Sequence, residues 1–357
     1  MPASNQLIVD QGPKVVLSID AMGGDLGPSV VLDGLKIAAH RFTNLHFIVH
    51  GPEHDLTALV TARNLGEYCT IRDAQGVVEM TDKPSQVVRH GKDTSMWSAI
   101  NAVKSKEAEV CVSCGNTGAL MAVSMIRLRK MPGVNRPAIA ILWPANGDKD
   151  FNVMLDVGAD IKADENDLLQ YALMGVSYCR NGFDIKRPKV GLLNVGTEDH
   201  KGRAELRIAH DLIRDMADDA KFEFVGFVEG GDIPSAHVDV IVTDGFTGNV
   251  ALKTAEGTAT FIGNALKSAF YHSILSRLAA VLAFSSLRRL RKKIDPRRAN
   301  GGVFLGLNGT VVKSHGAADA TGVAAAVGLA YRLSQAKFSA KLAARVASAS
   351  GYVDENE

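Results

Sequence analysis

Short apolar runs rich in Val, Ile and Leu alternate with longer stretches of helical period along nearly the whole chain. Lys14–Asp20 predicts a buried strand, and a glycine loop then leads into a helix over Ser29–His40. Leu45–Val49 predicts a strand, Glu53–Leu65 a helix and Tyr68–Arg72 a short strand. A polar loop containing Lys83-Pro84-Ser85 precedes a helix over Met96–Lys106. Ala138–Trp143 and Asn152–Leu155 read as the two strands of a hairpin about Asn146-Gly147-Asp148. Glu165–Arg180 and Ala204–Met216 predict helices, followed by strands at Lys189–Val195 and Phe222–Val228. Helical period then extends to about Ile294. Gly301–Lys313 is glycine-rich and ends in a strand, and small-residue helix begins at Ala317.

Alternating strand and helix implies a mainly parallel sheet covered on both faces. Ligands of such sheets bind beyond the carboxyl ends of the strands. Every glycine loop here follows a strand, so the loops are expected to converge on one edge. No Pro/Ser linker or break in composition divides the chain, so the expectation is a single α/β domain over residues 1–357, carrying a helical arm at 264–298.

Two strand–turn–helix units stand out. Glu109–Val123 runs from Val110-Cys111-Val112 through Gly115-Asn116-Thr117-Gly118 into an apolar helical run. Asp239–Lys253 runs from Val240-Ile241-Val242 through Asp244-Gly245-Phe246-Thr247-Gly248-Asn249 into another. Both contain Gly-x-Thr-Gly. A glycine turn opening a helix aims free backbone N–H groups and the positive helix end at one point, which suits phosphate. The pair implies two anionic groups or two walls of one pocket; the plain alternative is two ordinary βα turns.

With 357 residues, 46% of them hydrophobic, the chain can build a large core. The net charge of +1 gives no basic field for nucleic acid. Cys69, Cys111, Cys114 and Cys179 have no disulfide-like spacing and read as reduced thiols. Cys111-Val-Ser-Cys114 is C-x-x-C in form, but its first cysteine lies within a strand rather than opening a helix, against a redox role. There is no secretory signal pattern and no apolar run of the ~20 residues a spanning helix requires.

The remaining candidates for chemistry lie in loops after strands. Asp20-Ala-Met-Gly23-Gly24-Asp25 is neither a dinucleotide fingerprint nor a Walker loop; its aspartates suit a cation, a hydroxyl or, for Asp25, a helix cap. Lys83 offers a point charge for an anion. Asp156 ends a strand before Val-Gly-Ala. Asn194, Glu198, His200 and Lys201 share one loop, and His315 follows the last strand. No catalytic triad and no Cys/His metal set is evident. Phosphate cradles without a nucleophilic side chain suit attack by inorganic phosphate on a thioester. Phosphate is already anionic at neutral pH, and a thiolate of pKa ~8.5 leaves with little assistance. Such a protein holds two reactants together and stabilises an oxyanion. The residues expected to do so are Asn116, Thr117, Asn249, Lys83 and Lys201. Asp20, Gly23, Gly24, Gly115, Gly118, Asp156, Asn194, Glu198, Asp244, Gly245, Thr247, Gly248, Lys253 and His315 are expected to shape the binding site. No metal and no cofactor is expected.

Several of these segments together resemble the PlsX-type phosphate acyltransferases over about Val15 to Val327. They are Asp20-Ala-Met-Gly-Gly-Asp25, Cys114-Gly-Asn-Thr-Gly-Ala-Leu120, Leu155-Asp-Val-Gly-Ala159, Leu192-Leu-Asn-Val-Gly196, Val228-Glu-Gly230, Thr243–Lys253 and Gly306-x-x-Gly309 with His315-Gly316. Asp160 and Thr197 depart from the pattern, where Asn and an acid are usual. The resemblance implies an α/β/α sandwich similar to phosphotransacetylases and isocitrate-type dehydrogenases. It also implies transfer of a fatty acyl group from acyl-acyl-carrier-protein to phosphate, giving acyl phosphate for phospholipid synthesis. A homodimer peripherally associated with the cytoplasmic membrane face is implied as well. Two other readings stand beside it. Gly24-Asp-Leu-Gly-Pro loosely echoes the opening of isocitrate-type NAD(P)-dependent decarboxylating dehydrogenases, without their arginine cluster or metal-binding aspartates. A non-catalytic membrane scaffold is the other.

The arm itself carries Leu266, Phe270, Ile274, Leu278 and Leu282 at four-residue steps, which predicts one apolar helix face. Seven of the eleven residues from Arg288 to Arg298 are Lys or Arg. Leu278, Leu282 and Phe284 with Arg288, Arg289, Arg291, Lys292 and Lys293 are expected to meet an anionic membrane or the acidic carrier protein, the bland alternative being a dimer arm with a solvated basic end. The acyl phosphate would then pass to a membrane glycerol-3-phosphate acyltransferase.

Overall fold

The computed structural model describes residues 13–147, 149–294 and 301–344. The apolar runs form strands β1 (Val15–Asp20), β2 (Leu45–Gly51), β3 (Cys69–Asp73), β4 (Val110–Ser113), β5 (Ala138–Pro144) and β6 (Phe151–Leu155). They continue as β7 (Lys189–Leu193), β8 (Glu223–Val228), β9 (Val240–Val242), β10 (Gly302–Leu305) and β11 (Thr310–Lys313). All join one eleven-stranded sheet of order β3-β2-β1-β4-β11-β10-β5-β6-β9-β7-β8. Both faces are apolar. On β4, Val110 and Val112 enter one buried cluster with Leu17, Ile19 and Phe47, while Cys111 enters the other with Met96, Ile100 and Leu120. That two-sided burial is why the strands lack a polar face in sequence.

Helices cover the sheet: α1 (Gly27–Ala39), α2 (Glu53–Ala62), α3 (Pro84–His90), α4 (Ser95–Lys104), α5 (Thr117–Leu128), α6 (Glu165–Phe183) and α7 (Ala204–Met216). The rest are α8 (Gly245–Tyr271), α9 (Ile274–Leu282), α10 (Phe284–Ile294) and α11 (Ala320–Gln335). Two elements differ from the sequence reading. The polar loop at Lys83 opens α3, because Pro84 occupies a first-turn position where its missing N–H costs nothing. The glycine-rich 301–313 segment holds two strands, β10 and β11, rather than one.

Strand direction refines the expectation that the loops converge: they do so from two opposed sets of strands. β1, β2, β3, β4 and β11 are mutually parallel, β10 is antiparallel to β11, and β5 is antiparallel to β10. The predicted hairpin then forms, with β6 antiparallel to β5, and β6, β9, β7 and β8 run parallel to one another. β6–β9 thus run opposite to β1 and β4. The glycine loops fall into two clusters, 20–27, 114–118 and 314–316 after one set of strands and 156–160, 194–203 and 244–248 after the oppositely directed set. Register brings the two sets of strand ends together near the centre of the sheet: Lys313 pairs with Gly302 on β10, and on the neighbouring β5 Ile141 pairs with Met154, two residues before Asp156. The two halves correspond strand by strand, β2-β1-β4-β11 matching β8-β7-β9-β6.

α8 has 27 residues, so it spans about 40 Å. Only its Gly245 and Gly248 are buried. The rest runs across the central strands and out of the body. The expected continuous apolar face is interrupted: α8 ends at Tyr271, and Ser273 starts α9 with its hydroxyl accepting from the Ser276 N–H at 3.1 Å. Ile274, Leu278 and Leu282 therefore lie on a separate helix from Leu266 and Phe270. No helix among the described residues is long and apolar enough to cross a membrane.

Candidate active site

A cleft of about 730 Å³ lies over the central strands, where the two halves meet. Its floor is Ile139, Ile141, Leu142 and Trp143 of β5 with Gly301 and Gly302. One wall is the first residues of α5, Thr117 and Gly118, with Lys313, Ser314 and His315 after β11. The other is the flank of α8: Asn249, Leu252, Lys253, Glu256 and Ala259, backed by Val157 and Gly158. The spacing of 249, 252, 253, 256 and 259 places them on one helix face. The cleft thus has a polar, cationic region and an apolar length.

The β4–α5 turn is built on Asp20. Its carboxylate is buried and accepts 2.7 Å hydrogen bonds from Ser95 and Ser113 hydroxyls, and the Ser113 Oγ accepts from the Gly115 N–H at 3.0 Å. Burial raises the Asp20 pKa, and the two hydroxyls oppose that rise. A Cβ on Gly23 would lie 2.7 Å from both the Asp20 carboxylate and the Gly115 nitrogen, so these loops are pressed together at a point only glycine fits. Asn116 caps α5: its Oδ1 accepts from the Ala119 N–H at 3.0 Å, and its Nδ2 donates to the carbonyls of Met80 and Asp82. The Asn116 side chain is thus occupied in holding the loop that leads to Lys83. Thr117 and Gly118, at the first two helical positions, have N–H groups without an intrahelical acceptor, and both face the cleft.

The other wall is built on Asp156. It is fully buried and accepts from the backbone N–H groups of Ile139, Gly158, Ala159 and Asp160. Burial raises its pKa against those donors. Asp244 caps α8, accepting from the Thr247 N–H at 2.8 Å and hydroxyl at 3.0 Å, and pairs with Arg203 at 2.5 Å. Asn194 donates to the Lys201 carbonyl, and Lys201 pairs with Glu198 at 2.8 Å in an exposed loop.

Of the expected residues, Thr117, Gly118, Asn249, Lys253 and His315 line the cleft. Asp20, Gly23, Gly115, Asn116 and Asp156 stand behind its walls. Gly24 packs against Cys114. Lys83 is exposed at the start of α3. Asn194, Glu198, Lys201, Asp244, Gly245, Thr247 and Gly248 belong to the loops after β7 and β9, and none of them lines the cleft.

Two residues were missed. Lys313 lies half-buried in the cleft, its ammonium donating to the carbonyls of Cys114 and Ser314. Burial lowers its pKa to about 8, with Lys253 lowering it further and Cys114, Asp25 and Asp20 opposing. Ser314 is buried beside it. The signal available was position: Lys313 is the last residue of a strand and immediately precedes the His315 turn.

A cleft between two corresponding α/β halves, with a helix start and a lysine at one wall and an apolar floor beside it, has the chemistry to take an anion next to an apolar group. The model of the family described as "Fatty acid synthesis protein" matches residues 15–341. The chain is 64% identical over 348 residues to a phosphate acyltransferase of Roseobacter denitrificans, covering 97% of this chain and 98% of the relative. It is 68% identical over 335 residues to one of Dinoroseobacter shibae, covering 94% and 87%. The fold is also that of a phosphotransacetylase from Streptococcus pyogenes, with TM-score 0.57, 16% identity and coverage of 90% and 94%. The chain belongs to the PlsX-type phosphate acyltransferase family and is an enzyme. The scaffold and dehydrogenase readings are set aside.

Proposed function

We propose that the enzyme transfers a fatty acyl group from acyl-acyl-carrier-protein to inorganic phosphate, forming acyl phosphate for phospholipid synthesis. The observation that carries this reading is the cleft's division into a cationic helix-start wall and an apolar β5–α8 length, which together suit phosphate and a greasy thioester. A phosphate oxygen attacks the thioester carbonyl carbon, and the carbon–sulfur bond breaks. The proton of HPO4²⁻ ends on the departing thiolate, so no proton is gained or lost. The transition-state oxyanion needs donors, and in this reading Asn249, which lines the cleft, supplies one, with Lys253, paired to Glu256 at 2.8 Å, beside it. No side chain has to act as nucleophile. Incubation with acyl-acyl-carrier-protein and labelled phosphate tests this: hydroxylamine-sensitive labelled acyl phosphate is expected. Hydrolysis to unlabelled acid, or acyl trapped on Cys114 or Ser113, would refute direct attack.

The arm supports a membrane role for the same product. Ile274, Leu275 and Leu282 are 77, 79 and 88% exposed, and Leu278 and Phe284 are also exposed. Arg288 and Arg289 are exposed on α10; the side chains of Arg291, Lys292 and Lys293 and all of 295–298 lie outside the described residues. Apolar groups entering the headgroup boundary, with each basic residue adding about 1 kcal/mol on anionic lipid, give reversible peripheral binding at the cytoplasmic face. Hand-off of a labile acyl phosphate to a membrane glycerol-3-phosphate acyltransferase, and a homodimer, complete this reading. Replacing Leu278, Leu282 and Phe284 by polar residues should abolish flotation with anionic vesicles; retained flotation would assign the arm to dimer or carrier-protein contact.

A further inference from the structure

The Lys313 ammonium is an unusual charge to lodge in a cleft. Among the described residues it pairs with no carboxylate; its partners are the carbonyl oxygens of Cys114 and Ser314. The titratable groups facing it are Asp20 at the end of β1, Asp25 in the loop that follows, Lys253 from α8, and the Cys114 thiol after β4, which burial keeps neutral. None forms an ion pair with it. Holding a partly desolvated charge without a counter-ion is unfavourable, so the arrangement favours an incoming anion.

A second feature points the same way. Ser314 is 1% exposed and lines the cleft, yet its hydroxyl has no hydrogen-bond partner. Burial raises the pKa of the Cys114 thiol, which lies close enough to Ser314 for side-chain hydrogen bonding to oppose that rise, yet the pair lacks the distance and angles of a full hydrogen bond. A buried hydroxyl is normally satisfied. Register brings both residues to the start of α5: Lys313 sits opposite Ser113, and the Ser314 N–H donates to the Ser113 carbonyl at 2.9 Å. The β4 turn leads from there to the unpaired N–H groups of Thr117 and Gly118, which line the same cleft.

We propose that Lys313, the Ser314 hydroxyl and the Thr117–Gly118 helix start form the subsite for the acceptor phosphate, leaving the β5–α8 side of the cleft to the acyl thioester. This rests on the acyl-transfer reading and adds to it which wall takes which reactant, and a cation the motifs did not mark. Lys313 must be charged for the task. Its proton is lost as pH rises through about 8 in the empty site, so phosphate affinity falls above that pH; bound phosphate holds the proton to higher pH.

The experiment measures KM for phosphate and for the acyl donor separately in K313Q, K313R and S314A, with wild-type melting as the check on folding. K313Q is expected to raise the phosphate KM roughly 10- to 100-fold, the scale of a lost charge-assisted hydrogen bond, with donor KM little changed. K313R should restore part of the loss and flatten the rise of phosphate KM above pH 8, because arginine stays charged. An unchanged phosphate KM in folded K313Q overturns the proposal, and a rise in donor KM alone moves the site to a phosphate group carried by the donor. A parallel arm needs no acyl transfer: phosphate alone should raise the Tm of wild type most, that of S314A less and that of K313Q least. Equal shifts would overturn the proposal even if acyl phosphate forms. Shifts lost in K313Q would uphold it even if the acyl-transfer reading failed.

Discussion

The two Gly-x-Thr-Gly turns share a motif and face the cleft in different ways. The turn into α5 presents its end: Thr117 and Gly118 line the cleft, and the caps are supplied from behind by Asn116 and Ser113. The turn into α8 keeps its end out of the cleft: Phe246 and Thr247 are exposed but do not line it. Asp244 takes the Thr247 amide and hydroxyl as well as Arg203, and a Cβ on Gly248 would stand 1.9 Å from the Asp156 carbonyl. What α8 offers the cleft is its side, beginning with Asn249. Opposed strand direction is the cause. β4 and β9 run in opposite directions, so α5 and α8 reach the cleft from opposed sides, one with Thr117 and Gly118 of its first turn and the other along its flank from Asn249. A shared spacing specifies a shared backbone turn, while the topology decides which groups of that turn meet substrate.

The contrast breaks first at Asn249. If α8 acts through its flank, Asn249→Ala should lower turnover by about 100- to 1000-fold, the usual cost of one oxyanion donor, with an unchanged Tm. Near wild-type turnover would remove α8 from the chemistry. The next effect is structural. Gly248→Ala should destabilise by about 1–3 kcal/mol in chemical denaturation, because the added methyl meets backbone. Gly118→Ala meets side chains alone, the Pro84 ring at 3.0 Å and the Asn116 Oδ1 at 3.5 Å, and should cost less. Equal losses would mean that the two turns are packed alike.

A smaller effect concerns the apolar length. Ala259→Phe fills the cleft one helical turn beyond Glu256 and should shift kcat/KM by about tenfold toward shorter acyl chains, leaving phosphate KM alone. A uniform loss across chain lengths would place the acyl chain elsewhere. Last, Asp244→Ala should cost about 1 kcal/mol of stability as a lost helix cap, read from the denaturation midpoint, with the phosphate KM unmoved.

The alternation of strand and helix was legible because strands buried on both faces are continuous apolar runs, and the β5–β6 hairpin announced itself by Asn146-Gly147. Direction was not legible. Nothing in the composition of β6 or β9 says that the hairpin, together with β10, reverses half the sheet. The arm's break at Ser273 was hidden because the four-residue spacing of Leu266 to Leu282 passes straight through a helix cap. In the site, residue type pointed to Asp20, Asn116, Asp156 and Asp244, and the structure shows these carboxylates and amides consumed by backbone and hydroxyl donors. Their role is to hold turns. Lys313 went unread because a lysine at a strand end is ordinarily solvated; only the packing of β11 between β4 and β10 encloses it.

The most direct test of an end-on α5 is to remove one backbone N–H. Asn116 has φ −55° and ψ 120°, a conformation that accepts a following proline, and position 117 is the first helical residue. Thr117→Pro therefore deletes the N–H and the hydroxyl while keeping the helix, and Thr117→Ala deletes the hydroxyl alone. Phosphate KM is measured in both. The account predicts a KM about tenfold higher in the proline variant than in the alanine variant, with equal donor KM and melting temperature. Identical phosphate KM in two equally stable variants would contradict it.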